Sequence, residues 1–201
     1  MIRHRMLALV ALALCALAPA PPGEAARGGA LRSGAFEPAR PAPELALPAT
    51  TGGEFRLSRQ HGKVIALTFG YTSCPDICPT VLAELVQVRV RLGGAARRVQ
   101  VAYVTVDPDR DSPARLRAYT GQFDRTFVGL TGTAEQLAAV WKAYGVSVVR
   151  RDLPGTRPPM YLLHHSASVF LIDPAGRLRV MAPFGTPVDD VVHDIRVLLE
   201  E

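Results

Sequence analysis

The sequence predicts an α/β sandwich around a mixed central sheet, and three observations predict it. Two continuous apolar runs, Val64–Phe69 and Val99–Val106, have the composition of strands buried on both faces. A helical pattern follows each of them, the alternation typical of layered α/β domains. The chain then closes in a hairpin, Ala167–Asp173 and Leu178–Met181 around Pro-Ala-Gly, and a final helix. With 201 residues, 48% hydrophobic and 20% charged, one domain has room for a real core. The same proportions exclude collagen-like, low-complexity and polytopic membrane classes. No internal repeat and no second domain is visible.

Taken in order, residues 1–26 read as an export signal or N-terminal membrane anchor. Arg3, His4 and Arg5 form a basic start, and Met6–Ala18 is an apolar run of 13 residues. That run is shorter than the roughly 20 residues of a spanning helix. Cys15 lies within it, with Leu14 where a lipidation box wants a small residue. Residues 27–43, rich in Gly, Pro and Arg, read as a linker. The domain occupies 44–201. It opens with an N-terminal β-hairpin, Leu45–Leu47 and Glu54–Leu57, across Thr-Thr-Gly-Gly.

After the first buried strand, Gly70–Cys78 is rich in turn residues. A helix is expected from Pro79, because proline is tolerated at the first helical position. Val81, Leu85, Val88 and Leu92 give it one apolar face, and Gly93-Gly94 ends it. After the second buried strand, Ser112-Pro113 starts a helix that runs to about Gln122. Phe127–Leu130 is a short strand and Thr133–Tyr144 a helix. Val146–Arg150 is extended, residues 153–159 form a Pro-rich insertion, and Val188–Leu199 is the last helix.

The net charge of +5 comes from 23 basic and 18 acidic side chains, but 21 of the basic residues are Arg and two are Lys63 and Lys142. Their scatter through a Gly-, Pro- and Ala-rich chain reads as coding bias and not as a nucleic-acid surface.

The chemistry is concentrated in the cysteines. Removal of the leader leaves the domain two of them, Cys74 and Cys78, between the end of a buried strand and the start of a helix, an edge where α/β sites form. Cys78 is expected at the N-cap, where free N–H groups and the helix dipole favour a thiolate. A structural disulfide is one reading, although so short a loop contributes little entropy. Dithiol redox chemistry is another, although three residues separate the sulfurs instead of two. Metal binding is the third: two thiolates plus an imidazole suit Cu(I). His164-His165-Ser166 stands before a strand expected beside Val64–Phe69, so that a histidine could face the cysteine loop.

At these residues the chain resembles the Sco/SenC family of thioredoxin-like copper proteins. Four blocks carry the resemblance, in the family's order: Thr68–Pro79 (TFGYTSCPDICP), Val104–Ser112 (VTVDPDRDS), Tyr161–Ser166 (YLLHHS) and Phe170–Gly176 (FLIDPAG). The resemblance implies a thioredoxin-like αβα fold with copper, as Cu(I) or Cu(II), held by Cys74, Cys78 and His165. His164 stands where the family has Asp, which leaves an extra or alternative contact from His164 open. It further implies a metallochaperone for the dinuclear copper centre of cytochrome c oxidase, not a turnover enzyme. The oxidase's copper-bearing subunit would be the acceptor and another copper chaperone the donor. The alternative is a thiol–disulfide oxidoreductase, with Cys74 and Cys78 as a redox-active pair that reduces the oxidase's copper-site cysteines or serves general redox defence. The expected setting is the bacterial periplasm, soluble or tethered to the inner membrane by the N-terminal segment alone.

Other candidates read as structural. Asp107, Asp109 and Asp111 mimic a calcium loop but lack its glycine and its closing Glu; the resemblance places Asp107 at the border of the copper cleft. Met160 is a soft donor in the insertion and Met181 is expected in the core. His61 and His193 are expected at the surface.

Overall fold

The computed structural model describes residues 29–156 and 160–201. The expected leader with Cys15 and the Pro158-Pro159 pair of the insertion lie outside the described residues. Six strands form one mixed sheet in the order β1-β10-β9-β4-β5-β6. β4 (Val64–Gly70), β5 (Val99–Thr105) and β6 (Val128–Leu130) run parallel; β9 (Ser168–Ile172) pairs antiparallel with β4, β10 (Arg177–Pro183) with β9, and β1 (Ala35–Pro41) with β10.

All seven residues of β4 are buried, and their period of two divides them between two cores. Ile65, Leu67 and Phe69 face the core shared with helix α3 (Ala134–Ala143) and the hairpin of β2 (Ala46–Pro48) and β3 (Glu54–Arg56). Val64 and Ala66 face the core shared with α1 (Ile77–Leu92), α2 (Pro113–Phe123) and α4 (Val188–Glu200). Helices on both faces of a sheet buried on both faces make the expected αβα sandwich. The expected Ser112 cap is present, accepting from the Arg115 N–H, and Thr133 caps α3 in the same way, accepting from the Gln136 N–H.

Four local expectations change. The first helix starts at Ile77, two residues before Pro79, which sits in its first turn where no intrahelical N–H is required. Within the expected linker, Ala35–Pro41 forms the edge strand β1; an edge position is where a strand tolerates Pro38 and Pro41. The chain before it is held by buried Asp194 of α4, whose carboxylate accepts from the N–H groups of Arg32 (2.7 Å) and Ser33 (2.9 Å). Met181 is 40% exposed, because Val180 and Ala182 take the inward positions of β10. Finally, the histidine pair does not lead straight into the sheet. It ends β8 (Met160–His165), which pairs antiparallel with β7 (Val148–Leu153) as a separate two-stranded hairpin.

Candidate metal centre

The cysteine loop leaves β4 at its C-terminal end and turns tightly into α1. The N–H of Cys74 donates to the Tyr71 carbonyl at 3.2 Å. Because α1 begins at Ile77, Cys78 is not the N-cap. It is the second helical residue, 3% exposed, packed among core side chains. The N-cap residue is Asp76, yet its side chain caps nothing. The Cys78 N–H instead donates to the Cys74 sulfur at 3.5 Å, so Cys74 supplies the acceptor that an N-cap side chain ordinarily provides.

This reverses the expected roles of the two thiols, both of which are free. The Cys78 thiol donating to the Cys74 sulfur holds the Cys74 thiol far below its usual range, at about 3, against an opposing push from burial; His165 and the Asp76 and Cys78 backbones add to the lowering. Cys78 moves upward, because ionising it forfeits that same hydrogen bond and because it is buried. The half-buried Cys74 is therefore the sulfur favoured as thiolate, and Cys78 the one favoured as thiol.

His165, at the last position of β8, brings the third donor. Its Nε2 lies 3.3 Å from Cys78 Sγ. Its Nδ1 lies 3.1 Å from the Ser166 carbonyl oxygen, which can only accept; Nδ1 therefore carries the proton, and in the neutral ring Nε2 turns its lone pair toward the cysteines. Cys74, Cys78 and His165 are thus brought together. His164, one residue back on a strand, is exposed on the opposite face. Met160 is 53% exposed at the start of β8, His61 is exposed, and His193 lies beside Asp194 on α4.

Two buried networks fix these elements, and most of their members were not singled out in the sequence. Asp111 accepts from the Thr72 N–H (3.1 Å), the Thr72 hydroxyl (2.6 Å) and the Thr105 hydroxyl (2.7 Å), tying the cysteine loop to the end of β5. Arg115 closes over the loop from outside, donating to the Thr72 (2.7 Å) and Ser73 (2.9 Å) hydroxyls. The hairpin is fixed by Asp107, 2% exposed, which accepts from the Tyr161 hydroxyl at 2.7 Å and from Arg110 at 2.5 Å. Arg110 also donates to the Tyr161 carbonyl at 3.0 Å, and the guanidinium groups of Arg110 and Arg150 stack on the Tyr161 ring at 3.6 and 3.7 Å. The Tyr71 hydroxyl accepts from the Leu163 N–H at 3.3 Å, and its ring meets the His165 ring edge-on. Asp107 and Asp111 therefore serve these networks and not a calcium ion, while Asp109 is exposed.

Among the described residues, no group of three or more His, Cys, Asp or Glu side chains is spaced to enclose a metal ion. Of the three donors, His165 Nε2 touches Cys78 Sγ, and Cys74 Sγ is linked to Cys78 through its backbone N–H.

An αβα domain of thioredoxin-like kind, with a cysteine pair at the start of its first helix and a histidine facing it, defines the class. Within that class, the SCO1/SenC family model matches residues 36–200, and the chain belongs to that family. Among its relatives is the SCO2-like protein of Rickettsia felis, 34% identical over 136 residues; these are 63% of this chain and 66% of that protein. The structure of copper-bound ScoI from Bradyrhizobium japonicum is similar with a TM-score of 0.70 and 29% identity, covering 78% of this chain and 98% of that one. The apo Sco1 protein of Thermus thermophilus is similar with a TM-score of 0.74 and 33% identity, covering 87% and 99%.

Proposed function

We propose that this chain is a copper-binding assembly factor that holds one Cu(I) through Cys74, Cys78 and His165 and passes it to the copper-bearing subunit of cytochrome c oxidase. The observation that carries this reading is the convergence of two cysteine sulfurs and one imidazole nitrogen. Cys78 Sγ, with its thiol proton, lies 3.3 Å from His165 Nε2, and Cys74 Sγ, which accepts from the Cys78 N–H, is the sulfur favoured as thiolate. Exchanging that proton for a soft monovalent cation satisfies all three donors at once, and two thiolates with an imidazole are the set that Cu(I) prefers. Copper bound in the Bradyrhizobium relative supports the ion, and the description of the Sco family as cytochrome c oxidase assembly proteins supports the recipient.

Each residue then has a role. Cys78 and His165 are buried or half-buried and act as the fixed donors. Cys74 is the more accessible sulfur, so an incoming ligand of the acceptor displaces it first and the ion moves by ligand exchange. A periplasmic setting, a donor chaperone and a membrane tether through residues 1–26 complete the proposal; no helix among the described residues is long and apolar enough to cross a membrane.

The thiolate–thiol asymmetry of the pair favours a second reading, reduction of the acceptor's own disulfide. The Cys74 thiolate attacks one sulfur of that disulfide, releasing the other as thiolate and forming a mixed disulfide. Cys78 passes its proton to the released acceptor thiolate, attacks Cys74 and expels the second acceptor sulfur as thiolate, so that the acceptor gains two electrons and Cys74–Cys78 becomes a disulfide.

Anaerobic titration of the reduced chain with Cu(I), against a competing chelator, separates the readings. One ion is expected per chain. Serine at either cysteine abolishes binding, and His165→Ala weakens it about 10- to 100-fold while the disulfide still forms. If His165→Ala binds copper like the parent and exchanges thiols rapidly, the redox reading replaces the metallochaperone.

A further inference from the structure

Directly behind Cys78 lies a polar group that neither network uses. Tyr103 on β5 is 1% exposed, and its buried hydroxyl makes no hydrogen bond of good geometry. A buried phenol without a partner is destabilising, and most buried tyrosines find one. Gly70 shows where this hydroxyl points. A Cβ built on Gly70 would overlap the Tyr103 hydroxyl and come within 2.9 Å of Cys78 Sγ. The phenol oxygen and the sulfur therefore both crowd the bare Cα of Gly70, and any larger residue there would displace them. The Cys78 sulfur has His165 on its other side.

We infer that Tyr103 is a positioning residue for Cys78, its phenol kept in the core to donate a hydrogen bond to the Cys78 sulfur when that sulfur is the electron-rich donor of the dithiol or copper-bound state. The inference deepens the copper reading in its metal-bound arm, while its metal-free arm stands independently. A hydrogen bond to a ligating sulfur tunes the metal it holds, and the same bond favours a thiol over the poorer acceptor sulfur of a disulfide.

The test is Tyr103→Phe in the full chain, with Tyr144→Phe as control. The Tyr144 phenol is also buried but donates to the Pro43 carbonyl, away from the sulfurs. In the first arm, the metal-free chain is equilibrated with reduced and oxidised dithiothreitol, which supplies two electrons to the Cys74–Cys78 disulfide, one of its protons going to Cys78 and the other to solvent. Tyr103→Phe is expected to shift the equilibrium about fivefold toward the disulfide, about 20 mV more negative. In the second arm, the Cu(II)-loaded chain is expected to show its sulfur-to-copper charge-transfer band at longer wavelength, because a sulfur without the hydrogen bond gives up its electron more easily. Fluorotyrosine incorporated at position 103 keeps the ring and strengthens the donor; it is expected to move both readouts the opposite way and decides the matter if the Phe variant misfolds. Unchanged readouts in Tyr103→Phe, or an equal shift in Tyr144→Phe, overturn the inference. If the parent binds no copper, the copper reading fails and the dithiothreitol equilibrium still decides Tyr103.

Discussion

At the scale of single residues, the two cysteines are chemically unequal because the helix begins before Cys78 and not after it. The Cys78 thiol and then its first-turn N–H donate to Cys74, so negative charge is favoured on the sulfur outside the helix. A group whose pKa is lowered on folding adds stability above its unfolded value and loses it as the pH falls through the folded one. Between an ordinary value of 9.0 and about 3, the Cys74 thiolate thus favours the folded state increasingly as pH rises. Cys78, raised on folding, acts with the opposite sign and only in alkali. Two outcomes are expected. Iodoacetamide at about pH 5 labels Cys74 and leaves Cys78 unmodified, as read by mass spectrometry of digests. The stability of the reduced chain rises from acid to neutral pH, and Cys74→Ser flattens that rise. Equal labelling of both thiols, appearing only in alkali, contradicts the asymmetry.

At the scale of elements, the β7–β8 hairpin decides whether His165 is in place. It stands outside the main sheet, and β7 (VVRRDL) has no buried residue, so its position comes from point attachments. This explains what could be read beforehand. The Cys-loop and histidine blocks announced their donors by residue type, whereas Tyr71, Tyr161 and Arg110 carry no such mark and matter only through Asp107 and Leu163, which the fold brings to them. The strand character of Met160–His165 was equally hidden, because a partly exposed strand against an Arg-rich partner shows no clean alternation. Asp107→Asn and Tyr161→Phe are expected to speed hydrogen exchange in the two hairpin strands and to weaken Cu(I) binding about tenfold, with the disulfide still able to form. Unchanged exchange in the hairpin with unchanged affinity contradicts its role as the holder of His165.

At the scale of the whole molecule, the sandwich was legible because buried parallel strands and amphipathic helices both write their environment into hydrophobic pattern. β4 and β5 appear almost as the sequence delimits them, and each divides its residues between the two cores by alternation. The sixth strand was not legible: β1 lies in a Pro- and Gly-rich stretch and is recruited by the free edge of β10. Its approach is secured by Asp194, a carboxylate that looks like an ordinary helix-surface residue yet is fully buried beneath the Arg32 and Ser33 backbone. Removing that acceptor leaves one buried and one part-buried N–H unsatisfied, so Asp194→Ala is expected to cost about 3 kcal/mol. For a domain of this size the midpoint of thermal unfolding should fall by about 6–12 °C. A midpoint within about 2 °C of the parent's would place the N-terminal segment outside the cooperative domain.

The measurement that bears most directly on the central claim is X-ray absorption at the copper edge of the Cu(I)-loaded, reduced chain, repeated on His165→Ala. Two sulfur neighbours and one nitrogen neighbour are expected, with the nitrogen absent from the variant. A copper environment of sulfur alone, identical in parent and variant, would contradict the assignment of Cys74, Cys78 and His165 as one site.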